Sequence, residues 1–269
     1  MRRFYDHLNK RLIYTGKPSD SKMWEELWDR ESIEKLYFPK KFWRPHKTIQ
    51  KITQKYLKPG SKILEGGCGL GDKVFLLRKL GYKVIGIDYA LMSITRAHQF
   101  MPNLSLGCGD VRILPFKKGT FDGYWSFGVI EHFPQGYEEI IHEMNRVLCP
   151  GGFLFVTVPT LSKLRKIKAK LGLYPAFYQS DIELNDFYQV AYDSQEIICI
   201  VERYGFDVIE RQGWNVYKGF SDEIPGTRYI MSFLLRYMDG IAWNLLKDFS
   251  NHMDLLVFRK GTLERATED

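Results

Sequence analysis

The chain has 269 residues, 45% of them apolar, 15% aromatic and 26% charged, a globular composition that excludes wholesale disorder, collagen and coiled coil. A mean hydropathy of −0.28 and the lack of any long uncharged apolar run exclude an ordinary membrane-spanning protein. The net charge of +7 is local, because residues 1–60 carry 15 Lys/Arg against 7 Asp/Glu; such a segment suits nucleic acid, an anionic lipid surface or an acidic substrate, although plain solvated helix faces are the preferred reading.

Residues 1–58 are expected to form a helical cap. MWEELWDRESIEKLYF and PHKTIQKITQKYL place apolar residues three and four apart, and Pro59-Gly60 ends the segment. From residue 59 onward short apolar runs alternate with helical stretches: SKILEGG then DKVFLLRKLG, KVIGIDYA then SITRAHQF, LSLGCGD, FDGYWSFGVIEHF then YEEIIHEMNRVL, and GGFLFVTVP. This alternation predicts right-handed crossover units and a mainly parallel α/β sheet. The core should run over 59–269, with cap insertions at about 160–193 and 218–252. Between and after them stand a helix, SQEIICIVERYGF, and two strands, FDVIERQGW and LLVFRKG. The basic stretch LSKLRKIKAKLGLY and the apolar stretch 229–246, broken by Arg236 and Asp239, are amphipathic and suit a greasy surface. The cysteines at 68, 108, 149 and 199 have no zinc or redox spacing. The N-terminus lacks the apolar run of a secretory signal. A cytoplasmic protein with reduced thiols is the expectation.

The chemistry concentrates where strands are expected to end. Glu65-Gly66-Gly67-Cys68-Gly69-Leu70-Gly71 follows a strand and opens a helix. Glycines allow a tight turn and close ligand approach, and a helix start offers unpaired N–H groups. The third glycine of a dinucleotide fingerprint is missing, since Asp72 or Val74 stands there. Glu65 suits a positively charged ligand better than a pyrophosphate. Asp88 ends the second strand 19 residues after Gly69, about the spacing at which a carboxylate takes ribose hydroxyls; capping the next helix is the alternative. Asp110 can accept from an exocyclic amine and Val111 can cover an adenine face, or Asp110 is a turn residue before Pro115. Glu131-His132 lies beyond the fourth strand, as a capping pair or as a source of a general base.

Taken together, the glycine series 65–71, Asp88, Gly109-Asp110, Phe121-Asp122, Glu131-His132 and Arg146-Val147-Leu148-Cys149-Pro150-Gly151-Gly152 resemble the class I S-adenosylmethionine-dependent methyltransferases. The chain is most similar to their type 11 group, akin to the methyltransferases of ubiquinone and menaquinone biosynthesis. The resemblance covers residues 60–160 well and 194–260 loosely. It implies a Rossmann-like, seven-stranded, mainly parallel sheet with helices on both faces, an antiparallel hairpin at one edge, and helical cap insertions. It also implies S-adenosylmethionine as cofactor and S-adenosylhomocysteine as product. Glu65, Gly67 and Gly69 would line the methionine part. Asp88 would hold the ribose with Tyr89 beside it, and Asp110 and Val111 the adenine. Phe127 and Gly128 would lie near the transferred methyl. The acceptor is expected to be a small or lipophilic molecule methylated on oxygen or nitrogen, with His132 as first candidate for the base and Glu131 as second. Trp43 and Arg44 would reach the cofactor carboxylate, against the alternative of a solvated Arg44.

Three rivals stand beside this reading. An RNA methyltransferase is kept alive by the basic N-terminal segment. No DNA partner is expected, because the Asn/Asp-Pro-Pro-Tyr/Phe cluster is absent and Cys149-Pro150 reverses a Pro-Cys nucleophile motif. A nicotinamide oxidoreductase is disfavoured by the glycine spacing. A catalytically silent cofactor-binding or membrane-peripheral protein is motivated by the amphipathic stretches. The histidines share no spacing that suits a metal.

Overall fold

The computed structural model describes residues 1–16, 18–38, 44–178, 186–224, 226 and 246–262. Seven strands form the main sheet: β3 (Lys62–Gly66), β4 (Lys83–Asp88), β5 (Leu106–Cys108), β6 (Phe121–Phe127), β7 (Leu148–Pro159), β9 (Phe206–Trp214) and β10 (Met253–Lys260). Their order is β5-β4-β3-β6-β7-β10-β9. The first five are parallel, and β10 runs antiparallel between β7 and β9. The chain leaves β3 toward one edge and returns to β6 on its other side. This makes β3/β6 the switch point, where a ligand crevice opens beyond the strands' carboxyl ends.

The pleat sends alternate residues to opposite faces. Leu64, Tyr124, Leu154 and Val156 join one core with Ile140, Ile141 and Met144 of α6 (Glu138–Val147) and Ile197, Ile198 and Val201 of α8 (Ser194–Arg203). Ile63, Trp125, Phe155 and Val257 join the other. The second core also takes residues from α3 (Arg44–Tyr56), α4 (Asp72–Lys79) and α5 (Leu91–Phe100). Trp125 is stacked between Phe127 and Phe155, each 4.4 Å away, and its indole N–H donates to Thr53 Oγ1 at 3.1 Å.

The N-terminal segment differs from the expected all-helical cap. Residues 1–16 contain β1 (Arg2–Asp6) and β2 (Arg11–Thr15), an antiparallel hairpin. The Asp6 carboxylate accepts from the amides of Leu8 and Asn9, both at 3.0 Å, the local turn that Asp side chains favour. Strand β8 (Phe187–Ala191) pairs with β2. The hairpin and part of the 160–193 insertion therefore form one three-stranded sheet, β1-β2-β8. Helices α1 (Ser21–Arg30) and α2 (Ile33–Tyr37) follow the hairpin, as the apolar spacing predicts. Helices α7 (Lys163–Lys170) and α9 (Val216–Glu223) lie in the two insertions. Apart from its last residue, the stretch 229–246 lies outside the described residues. So do Trp43 and the Arg44 side chain.

Candidate active site

The turn after β3 is shaped by backbone that only glycine adopts readily. Gly67 has φ +75° and Gly69 φ +52°. A Cβ on Gly67 would stand 2.4 Å from a Val129 methyl, and one on Gly69 2.6 Å from the Trp28 ring. Asp88 sets the loop from below, accepting from the Gly69 amide at 2.7 Å and the Ala90 amide at 2.9 Å. An ionised carboxylate has about four lone-pair sites, so these bonds leave it capacity for two hydroxyls.

A cavity of about 840 Å³ opens at this edge. Gly67, Asp88, Tyr89, Asp110, Val111, Phe127, Gly128 and His132 all line it, which brings together most of the residues singled out in the sequence. Glu65, Gly69 and Glu131 do not line it. Trp28 covers Gly69. Glu65 lies fully buried, and neither of its oxygens has a hydrogen-bond partner. The Lys73 ammonium, 3.8 Å away, and the Val74 amide, outside hydrogen-bonding geometry, favour its charge. Burial outweighs them and pushes its pKa up to about 8. Lys73 itself is shared with Asp72 at 3.1 Å.

Glu131 and His132 part company because they sit in a 3₁₀ turn, Ile130–His132, where successive side chains point about 120° apart. His132 faces the cavity. Glu131 turns inward, buried, its Oε2 unpartnered, and burial lifts its pKa to about 8. Glu131, expected as a second base, does not line the cavity, and burial favours its protonated form at neutral pH. His132 Nδ1 lies 2.7 Å from the Tyr188 carbonyl. A carbonyl only accepts, so Nδ1 carries the proton and Nε2 keeps its lone pair. Burial holds the His132 pKa down at about 4 against that hydrogen bond, and the ring is neutral at pH 7.

Residues not singled out from the sequence complete the wall. Trp24 stands edge-on to His132 with ring centres 4.8 Å apart, and Trp24 and Trp28 stack at 6.5 Å. Their four-residue spacing puts both on one helix face, a signal legible in MWEELWDR, although its target is not. Ser19 donates to the His132 carbonyl at 2.8 Å and accepts from the Tyr89 hydroxyl at 3.1 Å. Arg96 grips the carboxyl end of α1 through the carbonyls of Trp28, Asp29 and Glu31. Arg112 forks onto Asp110, at 2.6 Å for the shorter ion pair, and lies over the Phe133 ring. Asp110 also accepts from the Arg112 amide at 2.9 Å, so it does serve as a turn residue, while still lining the cavity.

The charges decide what the site can hold. Among the described residues, Asp20, Asp88, Asp110, Glu138 and Glu139 line the cavity, with Arg112 as the cation. A pyrophosphate would meet repulsion, whereas a sulfonium and an ammonium would meet complementary charge. The Glu65 carboxyl, behind the cavity wall beside the glycine turn and without a hydrogen-bond partner, has the charge type an ammonium needs. The donor set thus fits S-adenosylmethionine. Among the described residues no three His, Cys, Asp or Glu side chains gather to hold a metal, and no helix is long and apolar enough to cross a membrane.

Comparison with known proteins agrees with this geometry. A family model described as "Methyltransferase domain" matches residues 64–156, from the glycine turn to β7. The demethylmenaquinone methyltransferase of Staphylococcus saprophyticus is 32% identical over 158 residues, covering 54% of this chain and 67% of that one. The chain belongs to the S-adenosylmethionine-dependent methyltransferases. A protein of Mycolicibacterium smegmatis named "Probable S-adenosylmethionine-dependent methyltransferase" is 28% identical over 154 residues, 57% of this chain and 55% of that one. The chain therefore spans about half the length of that relative. Among solved structures, the PH0226 protein of Pyrococcus horikoshii shares the fold, with a TM-score of 0.58 and 20% identity over 87% of this chain and 98% of that one.

Proposed function

We propose that this chain transfers the methyl group of S-adenosylmethionine to the oxygen or nitrogen of a small, lipophilic acceptor. The observation that carries the proposal is the acidic cavity, with a lone-pair-bearing His132 Nε2 on its wall and tryptophans on its cover. S-adenosylmethionine, when bound, supplies an electrophilic sulfonium methyl whose leaving group is a neutral thioether. Asp88 holds the ribose hydroxyls with Tyr89 beside it. Val111 and Asp110 flank the adenine, Phe127 and Gly128 the reacting end, and Glu65 ionises to meet the ammonium. Gly67 lets the backbone approach, and Gly69, under Trp28, shapes the same turn. Because the leaving group is neutral, the protein's work is alignment and exclusion of water, which in well-oriented systems reaches ~7–11 kcal/mol. His132 Nε2 takes the acceptor's proton as the new bond forms. Trp24 and Trp28 exclude water and offer apolar area to a planar or greasy acceptor. A relative named for a quinone substrate supports that class.

The four free cysteines, two of them exposed, support a reducing, cytoplasmic setting. The deciding experiment incubates the protein with labelled methyl donor and a panel of quinols, phenols and amines, then partitions the products between organic solvent and water. Label entering the organic phase is expected. Label entering added tRNA instead, or no label although calorimetry shows the donor bound, would overturn the acceptor class or the activity.

A further inference from the structure

Helix α7 leaves the same carboxyl-terminal sheet edge that carries the active site. Its inner face is spent on packing: Leu164, Arg165 and Ala169 are buried. The outer face carries Lys163, Ile167, Lys170 and Leu171, at the three-and-four spacing that lines one side of a helix. Ile167 is 46% exposed, Leu171 68% and, just beyond, Leu173 59%. Residues 161–180 contain five basic side chains and no acidic one. Lys166 is engaged by Asp193 and Lys168 by Glu223. Lys163 and Lys170 meet no carboxylate among the described residues.

Exposed aliphatic side chains alternating with lysines, on a helix otherwise anchored to the fold, match the headgroup–acyl boundary of an anionic bilayer. Nucleic acid would use the lysines but leave three aliphatic side chains in water. We propose that this face, Lys163–Leu173, docks the protein on anionic membrane. Geometry ties it to the active site. Ala176 is bridged to Tyr5 of β1, β1 pairs with β2 and β2 with β8, and Tyr188 of β8 holds His132. At its other end the segment is tied more directly: Thr160 is bridged to Tyr192 and the Leu161 amide donates to the Tyr192 carbonyl at 2.7 Å, one residue beyond β8. A lipophilic acceptor drawn from the bilayer would have a short path. The docking inference stands on residues that the methyl-transfer reading does not use.

The test is flotation of the full chain with vesicles of roughly three parts phosphatidylcholine to one part phosphatidylglycerol, against phosphatidylcholine alone. The wild type should float with the anionic vesicles and not with the neutral ones. Lys163→Gln with Lys170→Gln should weaken partitioning about 25-fold, since each lysine near such a surface is worth roughly a factor of five. Leu171→Asp with Leu173→Asp should abolish it. All these positions are exposed, so both variants should keep the wild-type melting temperature and donor affinity, which separates failed docking from failed folding. Absence of wild-type flotation, equal flotation of the variants, or retention on polyuridylate that the aliphatic variants leave intact would each overturn the proposal.

Discussion

Two glutamates are equally buried and live opposite lives. Glu223 sits in the cap, where its oxygens accept from Arg3 at 2.6 Å, Arg165 at 2.9 Å, Lys168 at 2.9 Å and the Tyr174 hydroxyl at 2.6 Å. Burial alone would raise its pKa, but Arg165, Tyr174, Lys168 and Arg3 together hold it below the usual range. Glu65 sits by the glycine turn with no hydrogen-bond partner, and its pKa rises to about 8. One carboxylate is satisfied within the fold and clamps β1, α7 and α9 together. The other faces Lys73, 3.8 Å away and shared with Asp72, and is the group proposed above to meet the donor's ammonium. Equal burial with unequal satisfaction is what distinguishes a structural clamp from a binding site. The two also respond oppositely to pH. The stabilisation from Glu223 is present above the unfolded pKa of about 4.5 and is lost as pH falls. That from a protonated Glu65 is present below the same value and is lost as pH rises through about 8.

The comparison breaks hardest at Glu223. Glu223→Ala strands the fully buried Arg165 guanidinium and should cost about 3–5 kcal/mol of stability, read as a lowered denaturant midpoint at pH 7. A midpoint within experimental error of wild type would mean the clamp is not one. Next comes His132. Its replacement by Ala should cut turnover about 100-fold, the low end for general-base catalysis because a base with a pKa near 4 is weak. Donor affinity should stay unchanged. The ring is neutral throughout pH 6–8, so the wild-type rate should show no limb from this group there. Unimpaired single-turnover rates in the variant would remove the base.

How far these residues were legible beforehand follows the range of the interactions that place them. The strands from β3 to β7 and the convergence of Gly67, Asp88 and Asp110 are written in local alternation and spacing, and the structure has them. The β1–β2 hairpin was not legible. Its turn depends on the Asp6 carboxylate, and its second strand is completed by β8, whose pairing of Leu12 with Ala191 no local window contains. Trp24 and Trp28 announced a helix face but not that it would cover Gly69 and His132. Glu131 and His132 are neighbours in the chain, and only the 3₁₀ turn decides which of them meets the cavity.

The comparison sharpens at Asp88. Asp88→Ala frees the Gly69 and Ala90 amides and, if the proposed ribose assignment holds, removes the donor's charge-assisted hydrogen bonds as well. Donor affinity should fall about 30-fold, the ~1.5–3 kcal/mol of roughly one hydrogen bond to a charged group, because water entering the freed space replaces the rest. Calorimetry giving wild-type affinity would sink the ribose assignment, whatever becomes of the fold.

The smallest effect is the most discriminating, because it sets the orphan carboxyl against its own protonation. Without donor, burial favours the protonated form of Glu65 at pH 7, its pKa being raised to about 8. If it ionises to meet the ammonium, binding must release a proton. The calorimetric enthalpy will then depend on the ionisation enthalpy of the buffer near pH 7 and cease to do so well above pH 8, where Glu65 is already charged. Glu65→Gln keeps the shape and removes the charge. It should lower affinity about tenfold, in the range of one hydrogen bond to a charged group, and abolish Glu65's share of the proton release. It should also make the donor-free protein more stable than wild type at pH 9, since the buried charge no longer has to form, while leaving the two equal near pH 4. Glu131 titrates over a similar interval, so the difference between variant and wild type, rather than the wild-type curve alone, isolates Glu65. Identical proton release in both proteins would mean that the ammonium is held elsewhere and that the two glutamates differ only in their neighbours, not in their purpose.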